Sequence, residues 1–192
     1  QWAMDNNFLL ITPTDKSEMI SELSQMKLQS CIGVVLDYGM IIPSEVIDYF
    51  DTGILNSHFS LLPKYLGSNP IRAAILNGDE ITGVTIIKIT PGLDDGPILT
   101  WAEIDTENMD ANKLRDKLSE LNCALLCETI KLYANGELEL IEQDESQVTG
   151  TKKTTKEDGL INPAKNANEL YREVLAYVGW PKSYIIYNGD TL

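Results

Sequence analysis

Gly53-Ile54-Leu55-Asn56-Ser57-His58-Phe59-Ser60-Leu61-Leu62-Pro63 is the stretch that decides the fold. Its apolar start reads as a strand, and residues two apart on a strand share a face. Asn56 and His58 therefore project together from the strand's end, an amide beside the chain's single imidazole. Ser60 and Pro63 then turn the strand into a loop. Farther along, Gly92-Leu93-Asp94-Asp95-Gly96-Pro97 forms a second polar loop that can return a carboxylate to the imidazole.

Upstream, Cys31-Ile32-Gly33-Val34-Val35-Leu36 is a continuous apolar run with β-branched residues, the pattern of a parallel strand covered on both faces. Phe8-Leu9-Leu10-Ile11 reads as a short buried strand. Asp15 with Glu18 forms a partial capping box, and Met19, Ile20, Leu23 and Met26 follow at helical spacing. Tyr38-Gly39-Met40-Ile41-Ile42-Pro43 leaves the second run as a loop, and Pro43 opens a short helix to Phe50. Downstream, residues 70–77 read as a helix closed by Gly78, and 84–89 and 98–104 as strands. Residues 110–135 read as a long helix with Leu114, Leu118, Leu121, Leu125 and Leu132 on one stripe. Strands and helices alternate. The expected fold is an α/β, Rossmann-like, open and mostly parallel sheet that binds ligands at the carboxyl ends of its strands.

With 192 residues, the chain can build one sizeable domain and a small annex. Hydrophobic residues make up 43% and charged residues 23%, ordinary for a water-soluble globule. No apolar run nears the roughly 20 residues of a membrane span, and no secretory leader is visible. The three cysteines, Cys31, Cys123 and Cys127, read as buried thiols in a reducing compartment. Cys123 and Cys127, four apart on a helix, have the spacing of a metal pair, but core packing is the stronger reading and no metal is expected. Net charge is −14, which taken alone disfavours nucleic-acid backbones.

After residue 148 the composition turns polar. Residues 149–165 read as a linker carrying Lys152, Lys153 and Lys156. A helix follows at about 167–178, then a strand at 184–187 with an Asn188-Gly189 hairpin turn. The expected division is 1–148, 149–165 and 166–192. With no returning strand after the turn and no initiator methionine, the expectation is a chain truncated at both ends.

An isolated histidine is more often structural than catalytic, and the amide of Asn56 on the same face shifts that balance. Amide plus imidazole can bind one carbonyl oxygen. Asp94 is the stronger carboxylate candidate, with Asp95 shaping the turn. Ser60 lacks a glycine-flanked elbow and reads as a turn cap rather than a nucleophile. No P-loop or dinucleotide fingerprint is present.

Asn56-Ser57-His58, Ser60-Leu61-Leu62-Pro63, Gly83-Val84-Thr85 and Gly92-Leu93-Asp94-Asp95-Gly96 together resemble the 10-formyltetrahydrofolate-dependent formyltransferases. The run from Val35 through Pro43, the Lys152-Lys153-Thr154-Thr155-Lys156-Glu157-Asp158-Gly159 segment and Gly179-Trp180-Pro181 resemble the branch acting on methionyl-tRNA. The resemblance implies Asn56, His58 and Asp94 as catalytic residues. It implies a folate co-substrate held by Tyr38, Gly39, Met40, Ile41, Ile42, Ser60, Leu61, Leu62, Pro63, Gly92 and Leu93. It also implies initiator methionyl-tRNA as partner, no metal, and a monomeric cytoplasmic enzyme whose residues 166–192 begin a C-terminal β-barrel. The rival functions are a sugar-nucleotide N-formyltransferase, a formyltetrahydrofolate hydrolase and a non-catalytic folate-binding protein. Phe59 stands where many relatives carry glycine, with the expectation of a narrower site. Asp37 stands where a small residue is usual.

Overall fold

The computed structural model describes residues 1–26, 28, 31–39 and 41–192. In chain order the elements are α1 (Trp2–Asp5), α2 (Lys16–Gln25), β1 (Gly33–Val35), α3 (Ser44–Tyr49), β2 (Ile54–His58) and α4 (Pro70–Asn77). Then come β3 (Ile81–Lys88), β4 (Ile98–Asp105), α5 (Ala111–Ala134), α6 (Ala167–Ala176), β5 (Ile186–Tyr187) and β6 (Asp190–Thr191).

The main sheet has the order β1-β2-β3-β4. β1 pairs parallel to β2, with Val35 opposite Asn56. β2 pairs antiparallel to β3, and β3 antiparallel to β4. The α/β class stands, but the expected mostly parallel sheet is mixed among the described residues. β3 returns from α4 in the opposite direction to β2, and β4 follows it after a single loop. A short connection joins antiparallel neighbours, whereas parallel ones need a longer crossover.

The β2 alternation sorts its residues between two helix layers. Leu55 joins Ile86, Leu99 and Leu126 on the α5 face. Ile54 joins Met19 and Val46 on the α2/α3 face. Leu55, Val84, Ile86, Leu114 and Leu118 are all fully buried. At about 1.5–3 kcal/mol for each large apolar side chain, such burial is the main favourable term for the fold.

Helix ends follow their residues. Asp110 caps α5 by accepting from the amides of Asn112 and Lys113 at 2.9 and 3.0 Å. Gly78, at φ 72°, closes α4 in the left-handed conformation. At α2, Asp15 accepts from the Glu18 amide at 2.9 Å, while the Glu18 carboxylate accepts from the Thr14 amide and hydroxyl instead of closing on Asp15.

Several expectations are corrected. Residues 8–11 form no strand; Phe8, Leu9 and Leu10 are exposed, and no neighbouring strand among the described residues pairs with them. β1 is shorter than the apolar run that marks it, and Val34 and Leu36 are exposed rather than covered. The buried line of α5 runs through Ala111, Leu114, Leu118, Asn122, Leu126 and Thr129. Cys123 and Cys127, one position past Asn122 and Leu126, are rotated outward and are exposed. The returning hairpin strand is present: Ile186 and Tyr187 pair with Thr191 and Asp190 across Asn188 and Gly189, both at positive φ. Residues 167–178 do not stand apart from the sheet domain, since Ala176 and Tyr177 share a core with Ile75, Val84, Leu114 and Leu118.

Candidate active site

His58 ends β2 and is buried. Its Nε2 lies 2.8 Å from the carbonyl oxygen of Tyr65. A carbonyl only accepts, so Nε2 carries a proton. Nδ1 is then the nitrogen left for proton chemistry, and it faces Asp94 Oδ2 at 3.5 Å. That separation exceeds a normal hydrogen bond, so a proton on Nδ1 is not claimed by the carboxylate and is left for a bound group lying near the ring plane. The Gly67 amide donates to the same Oδ2 at 2.8 Å. The side chains of His58 and Asp94 are 7% and 16% exposed, which keeps bulk water from screening the pair.

Asp94 arrives by an indirect route. β3 runs against β2, with Lys88 opposite Leu55 and Thr85 opposite His58. The loop after Lys88 therefore leaves from the far end of β2 and folds back toward the imidazole. The Lys88 amide closes the loop on Pro97 O at 3.0 Å. Gly96 is required there, because a Cβ would sit 1.8 Å from Lys88 O. Thr90 donates its hydroxyl to the Asp95 carboxylate, so Asp95 shapes the turn. Asp94 itself takes the left-handed conformation at φ 52°.

The loop after His58 is held from both sides. Ser60 is fully buried and donates its hydroxyl to Lys64 O at 2.6 Å. Thr85 donates to Ser60 O at 2.7 Å and accepts from the Leu62 amide at 3.1 Å. The Tyr65 hydroxyl donates to Asp79 at 2.7 Å. Burial, with the Asp79 carboxylate adding to it, pushes that phenol up to about 12. On the other side lies the start of the expected linker. The Leu66 amide donates to Thr149 O and the Thr151 amide to Leu66 O, each at 2.8 Å. The Tyr65 amide donates to the Thr149 hydroxyl at 2.9 Å, and the Asn69 amide to the Thr151 hydroxyl at 3.2 Å. Residues 149–151 are thus a strap on the site rather than a free tether.

The structure brings His58 and Asp94 together and sets Asn56 on the same strand face, half-buried, its amide without a hydrogen-bond partner among the described residues. Because β1 is parallel to β2, the loop carrying Tyr38 leaves at the His58 end of the sheet. Tyr38, Gly39, Ile41, Gly92 and Leu93 are exposed there or on the Asp94 loop, and Ile42 is half-buried. Ser60 and Leu62 are buried, so they hold the loop rather than offer ligand surface, while Leu61 and Pro63 are half-buried. Met40 lies outside the described residues. Phe59 does not narrow the site: it alternates to the opposite face and packs on the α4–α5–α6 core. Gly67, Gln143, Thr149 and Thr151 were missed. They sit in polar stretches without periodicity or motif, and only their hydrogen bonds reveal them. No group of three or more metal-ligating side chains clusters among the described residues.

The model of the Formyl transferase family matches residues 11–130. The chain belongs to that family. Methionyl-tRNA formyltransferase of Chloroflexus aggregans is 44% identical over 166 residues, covering 86% of this chain and 54% of the relative. The protein of the same name from Chloroflexus aurantiacus strain J-10-fl is 38% identical over 191 residues, covering 99% and 62%. The chain therefore spans just over half to about three-fifths of these curated relatives. An N-formyltransferase from Helicobacter canadensis, solved with folinic acid and dTDP-3-aminofucose, shares the fold with a TM-score of 0.77 at 23% identity, over 98% of this chain and 66% of that one.

Proposed function

We propose that this formyl transferase family member moves a formyl group from 10-formyltetrahydrofolate to the amino group of initiator methionyl-tRNA. The observation that carries the reading is the imidazole of His58 with one nitrogen fixed on Tyr65 O and the other opposite Asp94. The acceptor follows from the names of the relatives covering most of the chain.

The amine nitrogen attacks the formyl carbon, whose oxygen gains the negative charge. The Asn56 amide and a proton on His58 Nδ1 stabilise that oxygen. Asp94 balances the imidazolium and takes the proton that the amine loses. When the tetrahedral intermediate collapses, its oxyanion re-forms the carbonyl, its bond to the folate N10 breaks, and N10 takes the proton back from Asp94, which returns to the carboxylate. The exposed apolar side chains of Tyr38, Ile41 and Leu93 line the approach for the folate. Lys152 and Lys153 are exposed beside Asn69, which donates to Lys152 O at 2.8 Å, and they offer cations to tRNA phosphates. No helix among the described residues is long and apolar enough to cross a membrane, and we place the enzyme in the cytoplasm as a monomer that needs no metal.

The test is transfer of labelled formyl to charged initiator tRNA, with a dTDP-amino sugar as the competing acceptor. Asn56→Ala, His58→Ala and Asp94→Ala should each lower the rate on the order of 10²-fold or more. Near-normal rates in all three overturn the catalytic assignment, and preference for the amino sugar overturns the acceptor.

A further inference from the structure

Asp94 sits on a turn that its own backbone does not favour. An aspartate at φ 52° is held there by its surroundings, and the surroundings can be named. The Gly67 amide holds the carboxylate. The main chain of the turn is held from elsewhere: the Gln143 side-chain nitrogen donates to Asp94 O and to Gly96 O, both at 2.8 Å, across 49 and 47 residues of sequence. A primary amide nitrogen has two protons, and here both are used on the two carbonyls that bracket the turn.

Gln143 is itself fixed at both ends. Two residues earlier, Ile141 exchanges backbone hydrogen bonds with Ile98 at 2.8 and 2.9 Å. One residue later, Asp144 caps the turn at Glu145–Gln147 by accepting from the Ser146 amide at 3.0 Å. The side-chain oxygen of Gln143 is buried without a hydrogen-bond partner among the described residues. Burying an acceptor without a donor is a cost to folding. The nitrogen's two bonds, not the oxygen, account for where the side chain sits.

We propose that Gln143 is a positioning residue for the reaction, clamping the Asp94–Gly96 turn so that the Asp94 carboxylate faces His58 Nδ1. Its side-chain nitrogen bonds the Asp94 and Gly96 carbonyls, and it acts on the reaction only through Asp94. The proposal rests on the formyl-transfer reading above.

Gln143→Met keeps the length and removes both donors. It should lower kcat for formyl transfer on the order of tenfold and leave KM for 10-formyltetrahydrofolate within about twofold, the pattern of a lost transition-state interaction. In an Asp94→Ala background the same substitution should change kcat no further, whereas a purely structural role lowers both backgrounds alike. A second readout needs no activity. The His58 ring-nitrogen NMR signals, assigned by their loss in His58→Gln, should move in Gln143→Met in the direction they move in Asp94→Asn. Unchanged ring signals, or equal losses in both backgrounds, overturn the proposal. If the unsubstituted protein transfers no formyl group, the functional reading fails, and the ring signals alone decide Gln143.

Discussion

His58 and Asp94 face each other across 3.5 Å, yet the protein delivers them by opposite means. His58 is the last residue of a strand whose inner neighbours are paired on both sides and whose Leu55 is fully buried. Asp94 rides on a loop with few apolar contacts of its own, held by a glycine without room for a Cβ and by side chains borrowed from distant segments. The strand half is positioned by hydrophobic burial, which also supplies stability. The loop half is positioned by hydrogen bonds, which are individually small in net terms but directional. Damage to the two halves should therefore show up in different measurements.

The largest expected effect is on the strand half. Leu55→Ala should cost about 2–5 kcal/mol of stability, read by denaturant unfolding, while the fraction that remains folded turns over nearly as before. A loss of turnover without loss of stability would break the comparison. On the loop half the prediction inverts. Gly96→Ala forces a Cβ toward Lys88 O, so the loop must open and Asp94 must move. Formyl transfer should fall on the order of 10²-fold, close to the loss of the carboxylate itself, with little change in denaturant midpoint. The smallest effect belongs to Tyr65, whose backbone carbonyl anchors the imidazole and whose hydroxyl only braces the loop against Asp79. The folded state raises the phenol to about 12, so it binds its proton more tightly than the unfolded chain does. That contribution is complete below about 10, the ordinary tyrosine value, and disappears as pH rises through about 12. Tyr65→Phe should leave neutral-pH turnover nearly intact and reduce the loss of stability between pH 10 and 12, followed by circular dichroism.

What the sequence disclosed divides along the same line. β2, α4, β3, β4 and α5 were legible to within a few residues because local pattern and packing agree there. Pro70 opens α4 and Gly78 ends it, and Asp110 caps α5. The placing of Asn56 and His58 on one face needed only the two-residue period of a strand. Phe8-Leu9-Leu10-Ile11 shows the limit of that reasoning: apolar composition makes a strand only where a neighbour completes its hydrogen bonds, and none pairs with it among the described residues. The direction of β3 was hidden because helix-then-strand suggests a parallel return, and pairing sense is settled by tertiary contacts. The outward turn of Cys123 and Cys127 depended on which stripe of α5 meets the sheet, and leucine spacing alone left that open by one position. Gln143, Thr149 and Thr151 act through long-range bonds to backbone groups, which leave no periodic trace in the chain that supplies them.

For anyone dividing this protein into pieces, the threonines that grip Leu66 and Asn69 set a practical limit. A cut at residue 148, where composition alone invites one, would leave Gln143 on one fragment and both threonines on the other. The fragment ending at 148 would also lose Ala176 and Tyr177, baring Leu114 and Leu118 to water. Fragments meant to retain the geometry around His58 should run past Tyr177.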